Sequence, residues 1–267
     1  MEYDPGRRRF LKTAGMGVFG VAIFGVAIVS CSDEGTSEAS TSSTQPSSTT
    51  TTSAAATTTT ATVVSTTAPP ITDVVTSKRV DLGFVSAYIV DRGDGLVVVD
   101  TGVGGSAAAI QAVIEEYGRS WADVGYVIAT HDHPDHVGSL NAVLALATDA
   151  DVFAGSLDAA GIGSDRPITQ LSDGDVVNGV EVIATPGHTK GHISLLDPDV
   201  GLFSGDAING ADGGVIGPNP SFTSDLAAAD ASVVKLATYT YEQIFFGHGE
   251  PVLTGGSAAV KKLADSL

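Results

Sequence analysis

The chain has 267 residues, with 13 Lys or Arg against 31 Asp or Glu and a formal net charge of −18. A surface this acidic repels phosphate backbones, so we expect a small-molecule substrate and no nucleic-acid partner. A single cysteine excludes a disulfide scaffold and a cysteine-based zinc site.

Residues 1–31 have the pattern of an export signal. Arg7 and Arg8 resemble the paired arginines of twin-arginine signals, and an uncharged run rich in Gly and Ala follows over residues 13–30. Cys31 ends that run in a context similar to a lipobox, in which the cysteine is diacylated. We therefore expect an exported protein, anchored by lipid at the outer face of the cytoplasmic membrane. An uncleaved signal anchor and a soluble secreted protein remain the alternatives.

A second segment, residues 32–70, contains 23 Ser or Thr among 39 residues and few large apolar side chains. Such a composition does not offset the conformational entropy that is lost when a chain becomes ordered. We predict a disordered linker here. Residues 71–267 are then predicted to form one catalytic domain, because their length suffices for a single core between packed layers.

Short apolar runs alternate with amphipathic segments through the predicted domain. The predicted strands are residues 84–90, 96–99, 126–129, 152–154, 176–177, 180–184, 193–196, 202–203 and 244–246. The predicted helices are a segment between Ser106 as N-cap and Gly118, and residues 137–147, 225–238 and 257–267. Leu96–Val99 is apolar at every position, which predicts burial on both faces. Leu226, Ala229, Val233 and Leu236 are predicted to face inward, and the whole predicts an α/β sandwich.

The segment from Thr130 to Gly138 carries three histidines and a carboxylate directly after a predicted strand. In extended backbone, positions i and i+2 project to the same side, so His131 and His133 can bind one ion. A turn at Pro134 then redirects Asp135 and His136, which can bind a second ion nearby. Asp132, within the same segment, is expected to be structural.

Three further candidate ligands follow predicted strands along the chain. His188 lies in a Pro- and Gly-containing loop, Asp206 follows a Ser-Gly pair, and His248 stands between two glycines. Loops at strand ends commonly carry functional side chains. Five of the six histidines are thereby assigned to a metal site. His192 is expected either to hydrogen-bond to the ligand loops or to be an ordinary residue at the start of a strand.

These residues, in this order, resemble the metallo-β-lactamase fold superfamily, with a ligand set similar to that of glyoxalase II. The segment Val98–Gly102 is similar to the aspartate motif that precedes the ligands in that family. The resemblance implies a four-layer αββα sandwich with two metal ions at one edge of the sheets. It assigns His131, His133 and His188 to one ion, Asp135, His136 and His248 to the other, Asp206 to both, and an orienting role to Asp100.

The ligand types favour two zinc ions, with iron or manganese as alternatives. A hydroxide held between the ions is expected to attack a small ester, thioester or lactone, with Asp135 accepting a hydrogen bond from it. Asp135 and Asp100 are thus the candidate catalytic residues. Lys190 is a candidate partner for a substrate carboxylate but is more simply a surface lysine. Asn209, Asn219 and Phe222, in the Gly- and Pro-rich stretch 207–222, are expected near the pocket or else in a surface loop.

Other functions on the same fold remain open. A β-lactam hydrolase is one alternative, although lactamases of broad activity carry a cysteine at the position that resembles Asp206. An iron-dependent member that resembles persulfide dioxygenases is another, and a binding lipoprotein without catalysis is a third. Only 19 residues follow His248, where glyoxalase II-like enzymes carry a helical domain, so we expect a glutathione thioester to be disfavoured. The residues make no prediction of the oligomeric state.

Overall fold

The computed structural model of the protein describes residues 75–267. The predicted leader with Arg7, Arg8 and Cys31, and the predicted linker over residues 32–70, lie outside these residues. Within residues 75–267, no helix combines the length and apolarity needed to cross a bilayer.

The first sheet contains six strands in sequence order: β1 (Thr76–Asp81), β2 (Ser86–Asp91), β3 (Leu96–Val99), β4 (Val124–Ala129), β5 (Asp151–Gly155) and β6 (Ile168–Leu171). The first three strands pair antiparallel, whereas β3 to β6 pair parallel. Parallel neighbours end at the same edge of a sheet, so the segments that follow β3, β4 and β5 are brought close together.

The second half of the chain supplies β7 (Val176–Val177), β8 (Val180–Ala184), β9 (Ile193–Asp197), β10 (Gly201–Phe203), β11 (Asn209–Ala211), β12 (Gly214–Ile216) and β13 (Ile244–Phe245). Five of these form a second sheet in the order β13-β10-β9-β8-β7, and β11 and β12 form a separate hairpin. The last strand, β13, pairs parallel with β10. The segments after β10 and β13 therefore also share one edge.

Helices cover the outer face of each sheet. They are α1 (Ala107–Glu116), α2 (Pro134–Val137), α3 (Leu140–Leu146), α4 (Leu226–Leu236) and α5 (Gly256–Ala264), with a short 3₁₀ helix at Trp121–Asp123. Three apolar cores separate the layers: one between the first sheet and α1 and α3, one between the two sheets, and one between the second sheet and α4 and α5. The predicted four-layer αββα sandwich is confirmed.

Strand β3 shows why its sequence is apolar throughout. Leu96 and Val98 face the helices, whereas Val97 and Val99 face the second sheet. All four side chains are buried, because successive residues of a strand point to opposite faces of a sheet that is covered on both sides. This prediction is confirmed.

The prediction of one helix over residues 137–147 is wrong. Two short helices, α2 and α3, are separated at Gly138 and Ser139. A Cβ atom on Gly138 would lie 2.6 Å from the backbone nitrogen of Gly104, so this contact requires glycine. The Ser139 hydroxyl donates to Val103 O at 2.5 Å and accepts from Ser106 N at 2.8 Å, and these bonds to another segment compete with helix continuation.

Other boundaries differ from the predictions by a few residues. Leu226 is 42% exposed, because it lies in the first turn of α4, so its predicted inward orientation is wrong. Phe84 precedes β2 and is 64% exposed. The sequence patterns did not indicate the edge strands β1 and β6 or the hairpin β11–β12, because these strands are partly exposed and lack a continuous apolar run.

Candidate metal centre

The seven candidate ligands converge at one edge of the sandwich, each carried there by the end of a strand. His131 and His133 directly follow β4, and Asp135 and His136 lie in α2. His188 follows β8, Asp206 follows β10, and His248 follows β13. Because these strand ends share an edge, residues up to 117 positions apart in sequence become neighbours.

Two groups of three ligands are close enough to bind one ion each. The ligand atoms of His131, His133 and His188 lie within 4.8 Å of one another, and so do those of Asp135, His136 and His248. In the first group, His188 Nε2 is 2.9 Å from His133 Nδ1. In the second, His248 Nε2 is 3.4 Å from Asp135 Oδ2.

Asp206 lies between the two groups. Its Oδ2 is 3.3 Å from His188 Nε2 and 3.2 Å from His248 Nε2, so one oxygen reaches a member of each group. Its Oδ1 is 3.3 Å from His136 Nε2. This position is suited to a carboxylate that is shared by two ions.

The residues present fit two divalent cations. Within residues 75–267, His131 Nε2, His136 Nε2 and Asp206 Oδ1 are buried without a hydrogen-bond partner. Leaving a buried polar group unsatisfied costs about 1–3 kcal/mol, so three such atoms at one point indicate a missing partner of positive charge. Imidazole and carboxylate donors together suit zinc, iron and manganese.

Burial sets the protonation of the first group. It lowers the pKa of His188 to about 4 and lowers the pKa of His131 well below its usual value, with neighbouring imidazoles adding to the effect on His131. Both rings are therefore neutral at pH 7, and a neutral imidazole nitrogen can donate its lone pair to a metal ion.

The second group behaves in the opposite way. Burial lowers the pKa of His136, but Asp100 and Asp206 outweigh this effect and raise it to about 10. Hydrogen bonds to Asp135 and Asp206 raise the pKa of His248 to about 10. The His248 hydrogen bond in turn lowers the pKa of Asp135. Without ions, protons thus compensate the carboxylates here, and metal binding must displace them.

Asp100 orients two of the candidate ligands. Its Oδ2 accepts from His136 Nδ1 at 2.8 Å and from the Thr130 hydroxyl at 2.8 Å, and its Oδ1 accepts from Thr130 N at 2.7 Å. The Thr130 oxygen also lies 3.0 Å from His131 Nδ1. With both Nδ1 atoms engaged as donors, the Nε2 atoms of His131 and His136 are left to face the centre. Asp100 has a φ of 59°, a costly conformation for a residue other than glycine.

His192 supports the centre from behind. Its ring is fully buried, and its Nε2 accepts from the backbone nitrogen of Asp206 at 3.0 Å. Burial lowers the pKa of His192 to about 3, so this nitrogen stays unprotonated and can accept. The other nitrogen, Nδ1, lies 2.8 Å from the hydroxyl of Thr185 in the His188 loop. Of the two expectations for His192, the structure supports hydrogen bonding to the ligand loops.

Asp158 is a supporting residue that the sequence patterns did not reveal. It accepts from the Thr189 hydroxyl, and its Oδ1 accepts from Gly191 N at 2.6 Å, which ties down the loop that carries His188. Burial raises the pKa of Asp158. Its position just after β5, the parallel neighbour of β4, is the signal that would have found it.

A cavity of about 1260 Å³ opens above the centre. His133, Asp135, Asp206 and His248 lie at its base. Its walls include Asn209, Asn219 and Phe222, as expected for the stretch 207–222, whereas Lys190 does not line it. The wall also includes Phe84, whose ring stacks on that of His248 at 6.1 Å and whose carbonyl accepts from His248 Nδ1 at 2.5 Å.

Comparison with known proteins agrees with this geometry. Residues 80–248 match the Metallo-beta-lactamase superfamily. The chain therefore belongs to the metallo-beta-lactamase superfamily.

Two relatives are enzymes by name. A hydroxyacylglutathione hydrolase of Rhodobacter capsulatus is 37% identical over 121 residues, which cover 43% of this chain and 43% of that protein. The thioesterase pkgB of Emericella nidulans is 28% identical over 171 residues, which cover 63% of this chain and 46% of the relative. The matches thus cover about half the length of these two relatives.

Solved structures share the fold. TTHA1623 in a di-iron-bound form has 28% sequence identity and a TM-score of 0.53, covering 66% of this chain and 93% of that one. The metallo-beta-lactamase SMB-1 has 22% identity and a TM-score of 0.54, covering 64% and 76%. At that identity the likeness to SMB-1 shows the fold alone.

Proposed function

We propose that this chain is a dinuclear metal-dependent hydrolase of a small ester, thioester or lactone. The observation that carries the proposal is the position of Asp206, one oxygen of which is within 3.3 Å of His188 and of His248, members of the two ligand groups. Two zinc ions, or iron or manganese ions, bound there would supply Lewis acidity and lower the pKa of a water molecule.

The protein's own groups have distinct roles in this proposal. His131, His133 and His188 hold one ion, and Asp135, His136 and His248 hold the other. Asp135 also lines the cavity, where its carboxylate accepts a hydrogen bond from the attacking water. Asp100 acts through His136 and Thr130, by keeping the imidazole nitrogens in the orientation that binds metal.

The names of the two relatives support thioesters among the candidate substrates. Because the matches cover about half of each relative, the substrate of this chain remains part of the proposal. The di-iron form of TTHA1623 supports iron as an alternative to zinc, and with it a non-hydrolytic reaction as the second candidate.

Metal analysis of the purified full-length protein, followed by substrate assays, tests the proposal. The protein is loaded in turn with zinc, manganese and iron and assayed against an aryl ester, a lactone, a thioester and a penicillin. We expect two ions per chain and turnover of at least one of the first three substrates, abolished by chelation and restored by metal. Full loading without turnover of any of them would refute hydrolysis, and efficient penicillin hydrolysis would move the protein to the lactamases.

We further propose that the protein is exported through its twin-arginine-like signal and anchored at the outer face of the cytoplasmic membrane by Cys31. The support is the sequence context of Arg7, Arg8 and Cys31. Replacing both arginines by lysine is expected to leave the precursor inside the cell, and Cys31→Ala to release the protein into the soluble fraction. A Cys31→Ala variant that stays in the membrane would favour the signal anchor instead.

A further inference from the structure

The walls of the cavity above the metal centre carry large apolar side chains that face solvent. Phe84 is 64% exposed, Phe222 is 68% exposed and Ile216 is 50% exposed, and all three line the cavity. A pocket of about 1260 Å³ exceeds the usual range of small-molecule sites, about 300–1,000 Å³. The site therefore has apolar surface well beyond what an acetyl-sized substrate would cover.

This wall is held in shape by its own hydrogen bonds. The hairpin β11–β12 is tied to the metal centre by Gly210 N, which donates to His248 O at 2.9 Å. Phe222 N donates to Asn219 O at 3.1 Å, and the Thr223 hydroxyl donates to the same carbonyl at 2.8 Å. Because these bonds exist without a ligand, the apolar surface is preformed, and a ligand that covers it loses little free energy to ordering the wall.

Positive side chains are absent from this cavity. Residues 75–267 contain nine Lys or Arg against 25 Asp or Glu, and none of the nine lines the pocket. Most of them bond elsewhere; Arg79, for example, pairs with Glu250 at 2.6 Å and Lys78 with Glu116 at 2.9 Å. A carboxylate on the substrate arm would thus enter an apolar space without a partner, beneath a surface of like charge.

Building on the proposed hydrolase, we propose that this enzyme selects uncharged substrates with an apolar acyl or alkyl arm, which binds against Phe84, Ile216 and Phe222. The scissile carbonyl lies over Asp135 and Asp206 at the base of the cavity, and the arm extends along the wall formed by the hairpin and the loop that follows it. Substrates whose arm ends in a carboxylate are rejected because nothing on that wall compensates the charge.

A matched series of p-nitrophenyl esters, assayed with the metal-loaded full-length protein, tests the chain dependence. Each buried methylene favours binding, so we expect kcat/KM to rise about 100-fold from the acetate to the octanoate. The hexanoate is compared with the adipate monoester, which has the same six-carbon chain ending in a carboxylate. We expect the monoester to react at least about 30-fold more slowly, because its charge is desolvated without a partner.

Two variants locate the effect. Phe222→Ser should lower kcat/KM for the octanoate about 10-fold and leave the acetate within about twofold, since removing a buried aromatic contact affects only the arm. Leu253→Ser is the matched control, because Leu253 is 61% exposed but lies outside the cavity lining. Equal rates for the acetate, the octanoate and the adipate monoester would overturn the selectivity while leaving hydrolysis intact.

Binding of N-methyloctanamide, measured by calorimetry, separates selectivity from catalysis. This uncharged amide should bind the metal-loaded protein, and Phe222→Ser should weaken it about 10-fold, even if no ester is turned over. Such a result would refute the hydrolase but retain the ligand class. Absence of amide binding would overturn the proposal. A dimer in light scattering that Phe222→Ser dissociates would show that a second copy covers the apolar wall, and would overturn it as well.

Discussion

Replacing Asp100 by asparagine changes two atoms and tests how the metal centre is organised. The wild-type carboxylate accepts from His136 Nδ1 at 2.8 Å and from Thr130 N at 2.7 Å. Asparagine is similar in shape and tolerates the φ of 59° that this position requires. The substitution therefore perturbs hydrogen bonding and charge with little backbone strain.

An amide cannot accept hydrogen bonds from both directions. With its oxygen facing Thr130 N, the amide NH₂ group faces His136 Nδ1, which must then accept. The proton of the neutral imidazole moves to Nε2, the atom that faces Asp206 at 3.3 Å, and a protonated Nε2 cannot bind a metal ion. We therefore expect the ion held by His136 to be bound more weakly.

Support residues of this kind change metal affinity about 10- to 100-fold, which corresponds to about 1.4–2.7 kcal/mol. The metal-free protein is also expected to lose about 1.5–3 kcal/mol of stability, because a hydrogen bond to a charged group is lost. The second effect separates from the first when chelated and metal-loaded samples are compared.

Competition with a chromophoric chelator measures the affinity of each zinc ion, and urea unfolding of the chelated protein measures stability. Asp91→Asn serves as a control, because Asp91 pairs with Arg119 at 3.0 Å and is not among the metal-centre residues. It should lower stability without weakening zinc. If Asp100→Asn binds both ions as tightly as the wild type, the orientation of His136 does not depend on Asp100 and the reasoning fails.

Three further outcomes are expected. Gly247→Ala would place a Cβ atom 2.2 Å from Asp206 Oδ1, so activity should fall at least about 100-fold with loss of metal content, and normal turnover would contradict the tight packing seen here. Arg92→Met leaves the buried Asp197 carboxylate unpaired and should cost about 3–5 kcal/mol in urea unfolding, whereas a loss below about 1 kcal/mol would contradict the pairing. Chelation should abolish activity and lower the melting temperature by about 10 °C, and an unchanged melting curve after verified metal loss would show that the centre is stable without ions.

The sequence by itself determined the chemistry of the candidate centre. The spacing of His131 and His133 follows from the geometry of extended backbone, and each remaining ligand carries a local signal, a strand followed by a Gly-containing turn. Such patterns are local, so they are readable without a fold. The layered architecture was also predictable, because runs such as Leu96–Val99 are apolar on both faces only when a sheet is covered on both sides.

Only the tertiary structure decided which residues surround that centre. Phe84, Ile216 and Phe222 come from segments more than 100 residues apart or from an irregular loop, and as exposed apolar residues they carry no periodic signal. Asp158 became a support for the His188 loop only because β5 lies beside β4. The break between α2 and α3 likewise depends on the approach of Gly104 to Gly138, since local helix propensity alone favours one continuous helix. These features arise from contacts between distant segments, and packing, not sequence spacing, determines them.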